Sequence, residues 1–387
     1  MSADLLNPLL LDTGTPPIPE AKAWLTAYDG RLGPAIDLSQ AVPSKPPHAD
    51  LLARIGAAAA DAENARYGPI LGDAALRAAL ARDIGGTVTP GDVAITSGCN
   101  QAFVVAMMAL AKAGDRVILP APWYFNHEMT LGLLGIEAVP LPCPPENGFV
   151  PEVDQARALI DGRTRAIVLV TPNNPTGAVY PAATLRAFSE LCRQNGIALV
   201  LDETYRDFLP DGQEASHDLF AGDDWRGHVM QLYSFSKAHA VPGHRLGALT
   251  ADAGTIAEIA KILDCLQICP PRTAQGALAW AIEAQRDWRE ANRRDINLAA
   301  RAFRSAFAQM PDWRVEAVGA YFAYVRHPFS GEKAGLVAER MARERGVLAL
   351  PGPFFGPGQE GHLRMAFANV SAQMIGLIPA RLAGFTS

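Results

Sequence analysis

Seven short apolar runs, separated by alanine-rich stretches of helical periodicity, are the strongest constraint on the fold of this 387-residue chain. The runs are DVAIT (92–96), DRVILP (115–120), IEAVPLP (136–142), RAIVLV (165–170), IALVLD (197–202), VMQLYSF (229–235) and RLGALT (245–250). They are close to continuously apolar rather than alternating, the pattern of strands buried on both faces of a sheet. Between them, NQAFVVAMMALAKAG and PAATLRAFSELCRQNG carry apolar residues at helical spacing and end on glycine. That ending suits a helix closed by a left-handed residue. Strands alternating with such helices predict an α/β fold, a mostly parallel seven-stranded sheet sandwiched by helices.

The flanks have a different texture. The first fifty residues are proline-rich and read as an extended arm, with a short helical segment near 20–28. Beyond a helical region over 255–309, WRVEAVGAYFAYVRHP, GVLALPGPFFG and HLRMAFAN read as strands joined by turns. A smaller α+β domain follows from that pattern. The expected division is an arm and part of the small domain over 1–49, a large domain over 50–285, and the C-terminal small domain over 286–387.

Composition removes several function classes. A net charge of −6 and a pI near 5.8, with no basic cluster, argue against a protein that works by neutralising nucleic-acid phosphates. No apolar run reaches the length of a membrane span, and MSADLLNPLLLDTG lacks the basic region and cleavage site of a signal peptide. The five cysteines are scattered without zinc-site spacing and read as free thiols in a reducing compartment. A soluble cytoplasmic protein without nucleic-acid or membrane partners is expected, and no metal site is predicted.

In open α/β sheets, ligands bind beyond the carboxyl ends of the strands, so the residues there matter most. SGCNQAF (97–103) follows the first run; a Ser-Gly turn opening a helix offers backbone N–H groups to a phosphate, though a plain strand–helix turn looks the same. TPNNPTG (171–177) is a tight turn presenting paired asparagines, either as ligands or as a cap. Asp202 ends an apolar strand and requires either a neighbouring arginine or a ligand cation. Tyr205 stands three residues on. The aromatics Trp123, Tyr124 and Phe125 follow DRVILP, and YSFSKAHAVPGHRLG supplies Ser234, Ser236, Lys237 and Arg245.

Pyridoxal 5′-phosphate has use for each of these groups. Its aldehyde combines with a lysine amine, its phosphate takes backbone N–H groups, hydroxyls and an arginine, and its ring nitrogen takes a carboxylate. Here the sequence resembles the class I/II, aspartate-aminotransferase-like family of pyridoxal-phosphate enzymes, from about Leu38 to Asn369. The resemblance rests on Asn174–Gly177 (NPTG), Asp202 to Tyr205 (D-x-x-Y) and Ser234 to Lys237 with Arg245 (S-x-S-K and its arginine). It rests further on Tyr67, Gly68, Gly72, Leu76 and Arg77 (YGxxxGxxxLR), and on Arg364 in HLRMAFAN.

The resemblance implies the roles. Lys237 would form the Schiff base as an internal aldimine and then move the substrate proton. Asp202 would pair with the ring nitrogen, and Tyr205 and Asn174 would contact the ring hydroxyl. Tyr124 would stack on the ring, with Trp123 as the alternative. Gly98, Cys99, Asn100, Ser234, Ser236 and Arg245 would surround the phosphate, and Tyr67 would reach in from a second subunit of a homodimer. Arg364 would clamp the substrate carboxylate, with Asn174 and Ala41 nearby. Two departures stand out: Ala41 where the family usually has glycine, and Cys99 where a small or hydroxyl residue is common. With no second arginine in evidence for a dicarboxylate, the expected activity is transfer from a neutral or aromatic α-amino acid to a 2-oxo acid. The rivals are a C–S β-lyase of the same fold and a non-enzymatic regulator that binds the cofactor.

Overall fold

The computed structural model describes residues 5–386. The N-terminal segment forms two short helices, α1 (Pro8–Asp12) and α2 (Pro17–Trp24), and then strand β1 (Ile36–Asp37). The arm is therefore not extended, as its sequence suggested. Prolines at the first turn of each helix supply no N–H that the helix would have used, so they start helices rather than prevent them. Ala21 and Pro17 are buried beneath α2, which anchors it.

Helices α3 (Ala49–Ala60) and α4 (Ala74–Ile84) lead into the main sheet. In chain order its elements are β2 (Val93–Thr96), α5 (Cys99–Leu110), β3 (Arg116–Ala121), α6 (Phe125–Leu133), β4 (Glu137–Pro142), α7 (Val153–Leu159), β5 (Thr164–Val170), α8 (Ala182–Asn195), β6 (Ala198–Asp202), β7 (Val229–Ser234), α9 (Phe235–Ala238) and β8 (Gly247–Thr250). All seven apolar runs became strands, in the spatial order β2-β8-β7-β6-β5-β3-β4. The strands are parallel except β8, which runs antiparallel to both neighbours. One face packs on a core containing Phe103, Met107, Val200 and Leu263, the other on cores containing Leu80, Phe235, Phe188 and Leu199. Burial on both faces accounts for the unbroken apolar strands.

Helices α10 (Ala253–Gln267) and α11 (Gln275–Ala284) cover the sheet, and the 22-residue α12 (Arg286–Phe307) runs on into a second core. That core lies against an antiparallel sheet of β9 (Arg314–Gly319), β10 (Phe322–Arg326), β12 (Leu350–Pro351) and β13 (His362–Ala366), with α13 (Ala334–Arg345) beside it. Strand β11 (Val347–Leu348) pairs in parallel with β1, so the N-terminal segment is stitched into this part of the molecule. Tyr205 and Phe208, from the main-sheet side, pack into the second core with Ile296, Phe303 and Phe322.

Candidate active site

The register of the main sheet builds the site. Ser234 lies opposite Gly247, and Gly247 opposite Thr96, so the turn after β2, the end of β7 and the segment before β8 meet at one edge. Gly98 has φ +86, and a side-chain carbon there would collide with the Arg245 guanidinium. At Gly247 a Cβ would stand 2.6 Å from the main chain of Gly98 and Cys99. Both positions need glycine for the turn to sit this close to β8. The result is a cradle at the N-terminus of the 12-residue α5, flanked by Arg245 and by Ser234, whose hydroxyl accepts a hydrogen bond from Ser236 N at 3.3 Å.

Lys237 is in the single turn of α9, which Ser234 caps. Its Nζ donates to the Ala41 carbonyl at 2.5 Å. Burial first, and then the Arg245 and Arg364 charges, lower its pKa to about 8. It therefore gives up its proton more readily than a surface lysine.

Asp202, at the end of β6, is 4% exposed. Its sequence required an arginine or a ligand cation, but the partner in the structure is a histidine. His127 Nε2 lies 3.2 Å from Asp202 Oδ2, and Thr204 N donates to Oδ1 at 3.0 Å. Burial alone would raise the carboxyl pKa, but His127 and Thr204 outweigh it and hold it below its ordinary value. His127 is fixed by stacking on Phe103, with ring centroids 3.9 Å apart and planes at 19°. The Cys99 thiol donates to Asp202 Oδ1 at 3.7 Å, so its side chain serves the carboxylate while its backbone forms the cradle.

The two asparagines of TPNNPTG divide the alternatives between them. Asn173 builds the turn, accepting from Thr176 N and Oγ1 and donating to Tyr180 Oη. Asn174 faces the site, where its Oδ1 accepts from Arg364 at 3.2 Å. Arg364 projects from β13, is 1% exposed and also donates to the Ser39 carbonyl. Its Nε has no partner among the described residues, and burial lowers its pKa to about 10. Tyr124, not Trp123, lines the site; burial and then the Asp202 charge push its phenol up to about 12. Trp123 instead packs over Gly356. The Tyr205 ring rests against Tyr321 and Phe322 of the second core, at centroid distances of 5.3 and 5.1 Å.

These side chains enclose a cavity of about 310 Å³ whose walls include Ala41, Cys99, Asn100, Tyr124, Asn174, Asp202, Tyr205, Ser234, Ser236, Lys237, Arg245 and Arg364. Gly98 sits behind Arg245, and Tyr67 lies outside the cavity with 77% of its surface exposed. Phe125, noted among the strand-end aromatics, also lines the cavity; sequence reasoning missed Ile18, Gln40, Val42, Val170, Thr204 and Pro242, which complete the lining. It also missed His127. The only available signal for His127 was the unmet requirement of Asp202 for a donor.

A buried lysine amine and an ionised carboxylate in one cavity, next to a glycine turn at a helix N-terminus, suit an aldehyde cofactor carrying a phosphate and a basic ring nitrogen. Pyridoxal 5′-phosphate fits this chain. The Arg245 guanidinium lies against Gly98, where a Cβ would otherwise stand, and so brings a cation to the cradle, and Arg364 Nε is a buried donor with no acceptor among the described residues.

The chain belongs to the aminotransferase class I and II family, whose sequence model matches residues 27–381. It is accordingly a pyridoxal-phosphate-dependent aminotransferase. Among curated proteins it is similar to an arginine–pyruvate transaminase of Pseudomonas aeruginosa, 33% identical over 79% of this chain and 78% of the relative. It is also similar to a valine–pyruvate aminotransferase of Mycobacterium tuberculosis, 31% identical over 94% of this chain and 95% of the relative. Among solved structures, aspartate aminotransferase from Thermus thermophilus with maleate superposes with a TM-score of 0.89, at 26% identity and 98% coverage of both chains.

Proposed function

We propose that the chain moves the amino group of a neutral or aromatic α-amino acid to a 2-oxo acid, with Lys237 as the catalytic amine. The observation that carries this reading is the shared cavity of Lys237, Asp202 and Arg364. Arg364 binds the substrate carboxylate through a guanidinium fork suited to bidentate pairing. Its present acceptors, the Ser39 carbonyl and Asn174, are neutral, so a carboxylate competes well for it. Bound pyridoxal phosphate supplies a ring that draws electrons from the substrate Cα and makes its proton removable. Lys237 Nζ is the base that would take the substrate Cα proton and hold it for return. Asp202, held in its charged form by His127 and Thr204, would pair with the ring nitrogen and favour its protonated state. Asn174 and Tyr205 would hold the ring hydroxyl, and Tyr124 would stack on the ring. Gly98, Cys99 and Asn100 offer N–H groups to the phosphate, joined by Ser234, Ser236 and Arg245.

The composition of the cavity lining supports the neutral preference. Ile18, Val42 and Phe125 are apolar, Gln40 is uncharged, and Lys237, Arg245 and Arg364 are the only basic residues in the lining. Two relatives are named for pyruvate, which makes pyruvate the first acceptor to try. The working form is proposed as a homodimer in which the exposed Tyr67 reaches the neighbouring site, and five free cysteines suit a reducing cytoplasm. The test is Lys237→Ala. It should abolish transfer and prevent borohydride from fixing the cofactor to the chain. Fixation at another lysine would refute the assignment. Release of pyruvate and ammonia from a cysteine conjugate, without amino transfer, would move the reading to a β-lyase.

A further inference from the structure

Just beyond Tyr205 in the chain, four part-buried charged residues and Tyr233 form a closed ring. Asp207 Oδ1 accepts from Arg289 at 2.9 Å, Arg289 reaches Asp83 at 3.1 Å, and Asp83 pairs with Arg206 at 2.5 Å. Arg206 in turn lies over the Tyr233 ring at 4.3 Å, and the Tyr233 hydroxyl donates to Asp207 Oδ2 at 2.8 Å. The ion-paired side chains are 10–15% exposed. Two aspartates and two arginines leave it without net charge, which is how buried charges are tolerated. Burial alone would raise the Asp207 pKa, but Arg289, Arg206 and Tyr233 outweigh it and keep the carboxyl ionised.

Asp207 joins three elements that carry the site. It lies two residues beyond Tyr205. Through Tyr233 it holds the end of β7, which runs directly into Ser234, Ser236 and Lys237. Through Arg289 it holds the first turn of α12, whose buried Ile296, Ala300 and Phe303 pack in the core that also holds Leu363 and Met365, on either side of Arg364. His239, two residues past Lys237, is buried with neither ring nitrogen partnered among the described residues. Burial and the Arg289 charge push its pKa down to about 4, so it adds no cation to the balanced ring.

We propose that Asp207 is a positioning residue, fixing Tyr205 and Lys237 at the cofactor end relative to α12 and the sheet that presents Arg364. This rests on the roles assigned above to Lys237 and Tyr205. Removal of one ring bond loosens that alignment without substituting any side chain that lines the cavity.

The experiment uses the full chain loaded with pyridoxal phosphate and compares Tyr233→Phe, Asp207→Asn and Leu191→Ala. Tyr233→Phe deletes one hydroxyl and keeps the ring under Arg206, so it yields a folded protein even if Asp207→Asn does not. Leu191→Ala is a control that removes core contacts beneath α8. The expected result for Tyr233→Phe is a weaker visible circular dichroism of the bound cofactor and a cofactor release rate raised about threefold to tenfold, with kcat lowered and KM changed less. Leu191→Ala should lower the melting temperature and leave the dichroism and release rate at wild-type values. If Tyr233→Phe lowers only the melting temperature, the ring is structural and the inference fails alone. If the wild-type chain captures no pyridoxal phosphate at Lys237, the proposed function fails and the inference with it.

Discussion

His127 Nε2 and Asp202 Oδ2 stand 3.2 Å apart with both residues almost fully buried. The histidine is held flat against Phe103, so its nitrogen stays directed at the carboxylate. A carboxylate that must remain ionised beside a ring nitrogen needs such a donor, since burial works against it. Asp202→Asn should lower kcat by about a hundredfold or more, the loss of a full charge at the ring. His127→Phe removes only the donor and should cost about threefold to tenfold. Single-turnover kinetics with one amino acid would measure both; equal losses would mean that His127 does more than orient Asp202.

Lys237 gives a pH dependence with a defined sign. Its folded pKa of about 8 lies below the ordinary lysine value of 10.5. Below pH 8 the amine is charged in folded and unfolded chains alike, and the folded protein bears the full cost of burying it. Between about pH 8 and 10.5 the unfolded chain binds the extra proton, so stability rises with pH; above that window the cost is gone. Lys237→Met should therefore stabilise the cofactor-free protein at pH 7 by about 1 kcal/mol after allowance for solvent screening. Melting curves from pH 6 to 11 (about the range needed) should show that advantage shrinking through the window.

Arg364 should separate substrate binding from cofactor binding. Arg364→Lys keeps a charge but loses the fork, and should weaken amino-acid binding about a hundredfold. Cofactor affinity should change little, because Arg364 enters from β13 rather than from the cradle. Titration of the loaded enzyme with a non-reactive carboxylic acid reads the first quantity, and equilibrium dialysis of the cofactor reads the second.

Gly98→Ala tests the cradle. The added methyl meets the Arg245 guanidinium, and the backbone at φ +86 is itself unfavourable for alanine. Phosphate affinity should fall about tenfold or more, measured as cofactor dissociation constant, while pyridoxal without its phosphate should bind almost as before.

The main sheet was legible because all seven runs are apolar on both faces, a pattern that survives without tertiary information. RAIVLV, for example, is β5 to within a residue. The strand-end residues were legible for the same reason: once the strands are known, Asp202, Ser234 and Asn174 have only one edge to occupy. Contacts across elements were not legible. His127 belongs to α6 and Asp202 to β6, 75 positions away, and their meeting depends on β3 lying beyond β5 in the sheet order. The ring around Asp207 draws on α4, β7 and α12, and each of its residues alone looks like a surface charge. The N-terminal segment was misread as extended because prolines at helix starts look like helix breakers until the caps are seen.

The most direct test of the central claim is the absorption spectrum of the pyridoxal-phosphate-loaded protein as single amino acids are added without any oxo acid. The expected result is a shift of the cofactor band to shorter wavelength with a neutral or aromatic amino acid, reversed by pyruvate or another 2-oxo acid, and no such band in Lys237→Ala. A band that never shifts with any amino acid, or one that persists unchanged in Lys237→Ala, would contradict it.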